Sequence, residues 1–365
     1  MVASTWRRPA PVVPPPRDRA QGASSVQVRQ WTDASSWDAF VLAAGDGNVA
    51  HRWAWTRVIP VAYGHQVVPL AAQRAGRLVG VLPLVLVRSR LFGRVLVSMP
   101  YLDSGGLCTD GDSEADSALL AAAIALADSE GVRLELRHLG ERSIGLPASL
   151  HKVTMTVDLT GGQDAVWSRA RPNRRGQVRK ARRAGLECVL TGESGVGDFY
   201  RVLAHNMRDL GSPVHRRRFF TAVSSELGDD ATYVLVRSGS DVVGAGLLLF
   251  HGQRAVLPFS SSLRAARSLG PNQLLYWETV RCAVDRGCTI LDLGRSSPGS
   301  GTFEAKREWG ATPVQLYWHR AGADQPAGGP DDLTQRLAWA TRLWSRLPVR
   351  VATGASSLIR GGLPQ

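Results

Sequence analysis

The chain has 365 residues and a formal net charge of +13. Hydrophobic residues make up 44% of it and charged residues 21%, which is typical of a globular protein and excludes a disordered one. The length is sufficient for two ordinary domains, each with its own core. A strongly basic surface suits nucleic acid, an anionic membrane or a phosphorylated ligand, and charge alone does not choose among them.

The termini and the cysteines exclude several further classes. Residues 1–25 are predicted to form a disordered tail, because they are rich in proline and lack the apolar core of a secretory signal. The longest apolar run, Val79–Val87, contains Pro83 and is too short to span a bilayer. None of the four cysteines stands in a Cys-x-x-Cys pair or beside a histidine cluster, so no metal site is expected. We therefore expect a cytoplasmic protein without a tightly bound cofactor.

The first predicted unit, residues 26–152, alternates strands and helices as a mixed α/β sheet does. Its strands are predicted at Val26–Gln30, Val67–Arg74, Leu78–Val87, Val95–Met99 and Arg133–Arg137, and its helices at Trp37–Ala43, Trp53–Ala62 and Ser113–Ser129.

The second predicted unit, residues 153–320, repeats roughly the same order of elements. Its strands are predicted at Val153–Leu159, Glu187–Leu190, Thr232–Arg237, Val242–Phe250, Arg254–Ser260, Ile290–Leu293 and Gln315–His319. Its helices are predicted at Ala165–Ala184 (one helix or a pair), Val196–Leu210, Arg216–Leu227 and Asn272–Arg286. The repeated order predicts two similar domains in tandem.

The C-terminal region is predicted to contain a linker, residues 321–332, and then a helix and tail, residues 333–365. Apolar residues recur at helical spacing from Leu333 to Leu347, which indicates an amphipathic helix. The helix could pack on the body of the protein, lie in a membrane interface or contact a partner.

The segment that follows the strand Ile290–Leu293 carries the densest chemical signal. Asp292 is predicted at the carboxyl edge of the sheet, where clefts form in α/β folds. Arg295 follows it, and Lys306 lies on the next turn or helix. Glycines between them allow a ligand to approach the backbone closely. The alternative is a simple tight turn in which Arg295 pairs with Asp292. The spacing matches neither a P-loop nor a dinucleotide fingerprint.

Three other segments could contact a ligand. The very basic run Arg171–Gly185 is either a solvated helix face or a phosphate-binding surface, and the absence of interleaved aromatic residues argues against a single-stranded nucleic-acid groove. The run His205–His215 ends in a histidine that is either structural or a base. The loop Ser98–Gly106 follows a strand and ends in two glycines. Glu135 and Arg137, on one strand, are expected to pair with each other.

Taken together, these segments resemble the FemAB-like family, in particular its branch associated with exosortase (PEP-CTERM) and exopolysaccharide loci, within the GNAT acyltransferase superfamily. The similarity covers roughly residues 26–320. The segments that carry it best are Pro271-Asn272, Leu275-Tyr-Trp277, Asp292-Leu-Gly-Arg-Ser296, Gly299-Ser-Gly-Thr302, Lys306 and Trp309-Gly-Ala311.

The resemblance implies an α/β fold of tandem GNAT-like domains with mixed central sheets, and an acyltransferase that uses acyl-CoA or aminoacyl-tRNA as donor. It implies that Lys306 stabilises the developing oxyanion. With that lysine, the candidate catalytic residues are Asp292, Arg295 and His215. The candidate substrate-binding residues are Ser296, Gly299, Gly301, Thr302, Asn206, Arg208, Asn272, Tyr276, Tyr101 and Arg179.

The expected partners are an acyl donor and a sugar, lipid-linked or peptide acceptor from an exopolysaccharide or cell-envelope precursor. Transfer RNA and the surface of the inner membrane are further candidates, and no stable DNA binding is expected. Two competing functions remain open at this point. One is a non-catalytic GNAT-fold protein that binds a sugar or lipid-linked ligand, and the other is an RNA-binding module.

Overall fold

A computed structural model describes residues 25–89, 93–322, 341 and 343–363, which form two α/β units. The strands are β1 Gln27–Gln30, β2 Gln66–Arg74, β3 Arg77–Ser89, β4 Gly93–Ser98, β5 Arg133–Leu139, β6 Ala148–Ser149, β7 Val153–Asp158, β8 Leu186–Thr191, β9 Ala231–Ser238, β10 Asp241–His251, β11 Arg254–Ser262, β12 Ile290–Ser296 and β13 Thr312–Ala321. The helices are α1 Ala34–Ala43, α2 Trp55–Tyr63, α3 Ser113–Glu130, α4 Gly162–Arg169, α5 Pro172–Arg183, α6 Val196–Asp209, α7 Arg217–Leu227, α8 Pro271–Asp285, α9 Gly301–Arg307 and α10 Val349–Ile359.

Each unit contains one parallel pair of strands, and the connectivity around this pair is the same in both units. In the first unit α3 connects β4 to β5, which pair in parallel from Val95 to Val97. In the second unit α8 connects β11 to β12, which pair in parallel from Arg254 to Val256. Both β11 and β12 continue beyond this point without pairing to each other, so the sheet opens where Asp292 stands.

The last strand, β13, joins the two units into one continuous sheet. Residues Thr312–Gln315 pair with β7 of the second unit, and residues Leu316–Ala321 pair with β5 of the first. The strand order is β1-β2-β3-β4-β5-β13-β7-β12-β11-β10-β9-β8, with β6 beside β13. Because a single strand belongs to both halves, loops at the carboxyl ends of β4 and β12 are held at a fixed separation.

The hydrophobic core also crosses the boundary between the units. Trp55 and Val58 on α2 are buried in the same cluster as Phe219 and Val223 on α7. The rings of Trp55 and Phe219 stack with their centroids 6.3 Å apart. Burying such large aromatic side chains strongly favours association of the two units, so the space between them is a permanent feature of the fold.

The C-terminal segment, which consists of α10 and the residues after it, contacts both units. The Gly361 carbonyl accepts hydrogen bonds from His65 Nε2 at 2.7 Å and from the Tyr101 hydroxyl at 2.6 Å, both in the first unit. In the second unit, the Ser356 hydroxyl accepts a hydrogen bond from the Val214 amide at 3.1 Å. Gly361 packs so closely on the Tyr63 ring that a Cβ would lie 2.8 Å from it, so glycine is needed there.

The structure refines the sequence interpretation in three places. The basic segment Ala165–Ala184, predicted as one helix or a pair, is a pair, α4 and α5, with Pro172 opening the second. Lys306, predicted on a turn or a helix, lies on helix α9. Helix α10 begins after Pro348, where the sequence predicts only a tail behind the helix Leu333–Leu347. Most of that predicted helix lies outside the described residues. Among the described helices, none is long and apolar enough to cross a membrane.

The expected pairing of Glu135 with Arg137 is confirmed, and it predicts a large effect on stability. Arg137 is 1% exposed, donates to Glu135 at 2.8 Å and lies 4.3 Å above the Trp318 ring. Arg137→Met leaves the Glu135 carboxylate with one arginine fewer in a buried site. We expect the free energy of unfolding to fall by about 3 kcal/mol, measured by urea denaturation.

The matched control is Arg94→Met, which removes a surface ion pair to Glu130. It should cost less than about 1 kcal/mol. Equal losses for the two variants would show that the buried pair contributes no more than an exposed one.

Candidate active site in the cleft between the units

A cleft runs along the face of the sheet between the two units. Its outer part has a volume of about 420 Å³ and is lined by loops of the first unit and by Arg254 of β11. Its inner recess, about 50 Å³, is lined by residues from both units, including Asp103 and Asp292. Asn48, Ser104, Leu139 and Arg254 border both parts. The recess therefore lies at the opening between β11 and β12.

Asp292 is positioned by a bulge in β12. Pairing of β12 with β7 shifts register between Asp292 and Arg295, and Gly294 takes a positive φ of 78° that favours glycine. Oδ1 of Asp292 accepts hydrogen bonds from the Gly294 amide at 2.7 Å and from the Thr154 hydroxyl. Burial raises the pKa of Asp292 to about 6, and the nearby charge of Asp103 adds to this shift. Its other oxygen, Oδ2, forms no hydrogen bond with the described residues.

Lys306 lies on α9 behind this bulge and is 8% exposed. Its ammonium donates to the carbonyl oxygens of Gly294 at 2.9 Å and Arg295 at 3.0 Å. Burial lowers the pKa of Lys306 to about 8, while the carboxylates of Asp103 and Asp292 oppose the shift. An ammonium has three N–H donors, and two of them are used here within the described residues. The third has no partner among the described residues.

Arg295 connects β12 to a loop of the first unit. Its guanidinium lies 3.5 Å from Asp103, and its amide donates to the same carboxylate at 3.1 Å. The Asp103 carbonyl accepts from the Trp318 indole at 3.2 Å. Arg295 thus pairs with Asp103 instead of with Asp292, contrary to the tight-turn alternative. This pairing brings the loop Ser98–Gly106 against the residues of β12.

The backbone of that loop is strained in a way that functional loops often are. Met99 and Tyr101 both have positive φ, 48° and 74°, although neither is glycine. At Gly106, a Cβ would lie 2.4 Å from the His138 ring. The loop can therefore pack this closely against β5, which carries His138, only with glycine at this position. The Arg137 guanidinium, on β5, donates to the Leu102 carbonyl at 3.1 Å and so fixes this part of the loop.

The outer wall of the cleft is a network of paired polar groups. Arg142 forms ion pairs with Asp46 at 3.0 Å and Asp116 at 3.2 Å. His51 bonds to Gly106 through Nε2 at 3.0 Å, and burial lowers the pKa of this histidine to about 4. His138 accepts from the Leu107 amide at 3.0 Å. These groups satisfy one another, so they shape the wall without offering free charges.

His215 and Tyr101 both contact the residues that follow α10. His215 is 3% exposed, contacts the Tyr63 hydroxyl through Nδ1, and accepts from Arg360 Nε at 3.1 Å through Nε2. Burial keeps the pKa of His215 well below its usual value. A neutral imidazole with both nitrogens engaged suits a group that positions the C-terminal segment better than it suits a base. Tyr101 donates to that segment as well.

The remaining candidates divide into three positions. Ser296 is buried, with a hydroxyl that has no partner among the described residues, and it lies near Gly299, Gly301 and Thr302, which lead into α9. Asn206 and Arg208, on α6, bond to Ser261 at 3.1 Å and to the Leu347 carbonyl at 3.0 Å. Arg179, Asn272 and Tyr276 lie on α5 and α8.

Helices α5 and α8 form a basic surface that leads toward Lys306. Helix α8 begins at Pro271 without a side-chain cap, after Gly270 at φ 82°. Gly270 packs against Ala181 of α5, whose outer face carries Arg171, Arg179, Lys180 and Arg183, all exposed. The Arg171 amide donates to the Glu308 carbonyl at 2.9 Å, beside α9. Uncapped amides and exposed arginines together favour phosphate.

Asp103 is one of two residues of this site that the sequence did not indicate as candidate site residues. It stands in the loop Ser98–Gly106, which the sequence marks as a candidate, but nothing local distinguishes its carboxylate. Arg254 was likewise not selected, since a single arginine at the start of a strand carries no signal.

Comparison with known proteins agrees with this architecture. Residues 168–307, which include Asp292 and Lys306, match the family model for the acetyltransferase (GNAT) domain. The crystal structure of FemX is similar with a TM-score of 0.64 and 15% identity, over 85% of this chain and 99% of that chain. No curated protein matches the chain in sequence.

Two further solved structures are similar. One is the C-terminal domain of a putative lysylphosphatidylglycerol synthetase from Agrobacterium fabrum (TM-score 0.52, 14% identity, 85% of this chain and 96% of that chain). The other is a tandem GNAT protein from the clavulanic acid biosynthesis pathway (TM-score 0.50, 12% identity, 82% and 100%). The chain therefore has the tandem GNAT-like α/β fold, with a mixed sheet, that the sequence predicts.

Proposed function

We propose that this protein is an acyltransferase that moves an acyl or aminoacyl group to an amine or hydroxyl of an exopolysaccharide or cell-envelope precursor. The observation that carries the proposal is the meeting of Lys306 and Asp292 where β11 and β12 part, inside the segment that matches a GNAT domain. The family model that residues 168–307 match, that of an acetyltransferase (GNAT) domain, supports the reaction class. Membership of the exosortase-associated branch, and a reaction in the cytoplasm beside the inner membrane, belong to the same proposal.

The reaction starts with attack of the acceptor nitrogen or oxygen on the donor carbonyl carbon. Asp292, through its free oxygen Oδ2, takes the proton that the nucleophile loses. The third N–H of Lys306 stabilises the negative charge that develops on the carbonyl oxygen. The bond to the leaving group then breaks, and Asp292 returns the proton to the leaving sulfur or oxygen, so that coenzyme A departs as a thiol or tRNA with its ribose hydroxyl. Holding both reactants in one cleft supplies much of the rate.

The donor is proposed to bind the surface of α5 and α8. Both candidate donors carry phosphates, and this surface offers exposed arginines beside the uncapped end of α8. The chain has no clean Arg/Gln-x-x-Gly-x-Gly/Ala acyl-CoA loop, since Asn272 follows Arg267-Ser-Leu-Gly270 where the pattern needs Gly or Ala, so the choice between the two donors stays open. The surface leads to Lys306, so a phosphate held there would place the acyl group toward the recess.

Titration calorimetry with acetyl-CoA, and in parallel with charged tRNA, tests this assignment. We expect one donor to bind, and the Arg179→Gln/Arg183→Gln variant to weaken it by about tenfold or more. The control Arg77→Gln removes an exposed arginine from the β2–β3 turn and should bind as the wild type does. If neither donor bound, the proposal would be contradicted. Tight binding of a donor without turnover would favour the non-catalytic alternative.

A further inference from the structure

One strip of the sheet face lines the cleft, and each of its three side chains has a polar atom without a partner among the described residues. His251 and Arg254 are direct cross-strand neighbours on β10 and β11, so their side chains lie on one face about 5 Å apart at Cβ. Asp292, on β12, pairs with Val256, two residues further along β11 on the same face. His251, Arg254 and Asp292 all line the inner recess. We call these three residues the recess strip.

Arg254 is the first unusual member of the recess strip. It is half-buried, and within the described residues its guanidinium forms no hydrogen bond or ion pair. The other arginines of the cleft are different, since Arg137 pairs with Glu135 and Arg142 pairs with two aspartates. Because a half-buried guanidinium without a carboxylate is costly, it favours an anionic group from a ligand.

His251 is the second unusual member, because it is 6% exposed and its Nδ1 has no partner among the described residues. Its Nε2 lies 3.4 Å from the Val41 carbonyl, which can only accept. The proton is therefore on Nε2, and Nδ1 is a buried acceptor atom without a partner among the described residues, on a side chain that borders the recess. A ligand group at this atom must be a donor, such as a hydroxyl or an amine.

From these observations we propose that the recess strip binds the acceptor, and that the acceptor is an acidic polyol: a carboxylate or phosphate next to free hydroxyls, as in an acidic or phosphorylated sugar. Arg254 holds the oxyanion, and a hydroxyl donates to His251. A further hydroxyl reaches the recess beside Asp292, where it becomes the nucleophile. The ligand's role as acceptor rests on the proposed function, while the binding chemistry does not.

The size of the cleft fits this ligand. The recess, about 50 Å³, has room for one small group only, while the outer part of about 420 Å³ can hold one or two sugar rings. Arg254 borders both parts, so it can hold the anion while the nucleophile enters the recess. The apolar residues of the recess, such as Val256 and Pro258, suit the carbon face of a ring.

Binding of three probes, followed by NMR titration at millimolar concentrations, tests the proposal without a donor. The probes are glucuronate, glucose 1-phosphate and, as the uncharged control, glucose. We expect at least one charged probe to bind at least tenfold more tightly than glucose. Arg254→Gln should remove that preference, and Arg254→Lys should restore part of it. Arg77→Gln, which removes the same charge from an exposed turn, should change nothing.

The two charged probes distinguish the sources of the anion, a carboxylate or a phosphate. Lys306→Ala should retain probe binding, so a failure of the transfer reaction and a failure of this site can be told apart. Equal binding of all three probes, no binding of any probe, or an unchanged preference in folded Arg254→Gln would overturn the proposal.

Discussion

Lys306→Ala is expected to lower the rate of acyl transfer by on the order of 10²–10³-fold, because it removes the N–H donor aimed at the developing oxyanion. The donor should bind as before, since the phosphates are held by α5 and α8. The measurement is transfer to hydroxylamine at neutral pH, a small nucleophile that needs neither an acceptor site nor a base. Lys306→Met, which keeps the length of the side chain without the charge, should lose as much.

The control for this prediction is Arg307→Met. Arg307 is the next residue of α9, about half-exposed, and pairs with Glu304 at 2.7 Å. If both variants lost the same activity, the loss would reflect the charge or folding of α9 in general. Full activity in Lys306→Ala would remove this lysine from the mechanism.

Asp292→Asn is expected to slow hydrolysis of the donor by on the order of 10²–10⁴-fold, because water needs a general base. Transfer to hydroxylamine should fall much less, since this nucleophile attacks without one. In the wild type, hydrolysis should rise as Asp292 loses its proton near pH 6 and fall as Lys306 loses its proton near pH 8. The activity therefore peaks between these pH values, and the Asp292→Asn substitution should abolish the rise on the acid side.

The comparison of the two nucleophiles decides what Asp292 does. An equal loss with water and with hydroxylamine would indicate that Asp292 shapes the site through Gly294 and Thr154 instead of accepting a proton. An acid limb that survives in the variant would show that the proton acceptor is a group other than Asp292.

Much of the fold could be predicted because its signals are local. The strand Val242–Phe250 and the helix Asn272–Arg286 differ from β10 and α8 by one residue at each end. Alternating apolar residues and a glycine after each helix determine these elements within a few turns of chain. The sequence left open whether Lys306 lies on a turn or on a helix, because α9 has only seven residues and follows a run of Gly and Ser.

The candidate site was predictable only in its second-unit half. Asp292, Arg295 and Lys306 lie within fifteen residues of one another, so a strand edge followed by a glycine turn brings them together. The distance in sequence from Asp103 to Arg295 is 192 residues, and their contact depends on β13 joining the units. No local pattern reports such a contact.

The same reasoning explains His215. Its position before a helix and next to a polar run suggests a titratable group, but its partners Tyr63 and Arg360 come from α2 and from the residues after α10. Burial by these distant segments keeps the ring neutral. A role in catalysis for His215 stays a prediction, and the geometry favours a structural one.

The central claim is that this cleft transfers an acyl group, and wild-type turnover tests it most directly. Purified protein, the donor that binds in the titration, and hydroxylamine are mixed at neutral pH, and the hydroxamate product is quantified by mass spectrometry against a reaction without protein. We predict repeated turnover that is lost in Lys306→Ala and retained in Arg307→Met. A donor that binds and stays intact would contradict the account and identify the protein as a binding module.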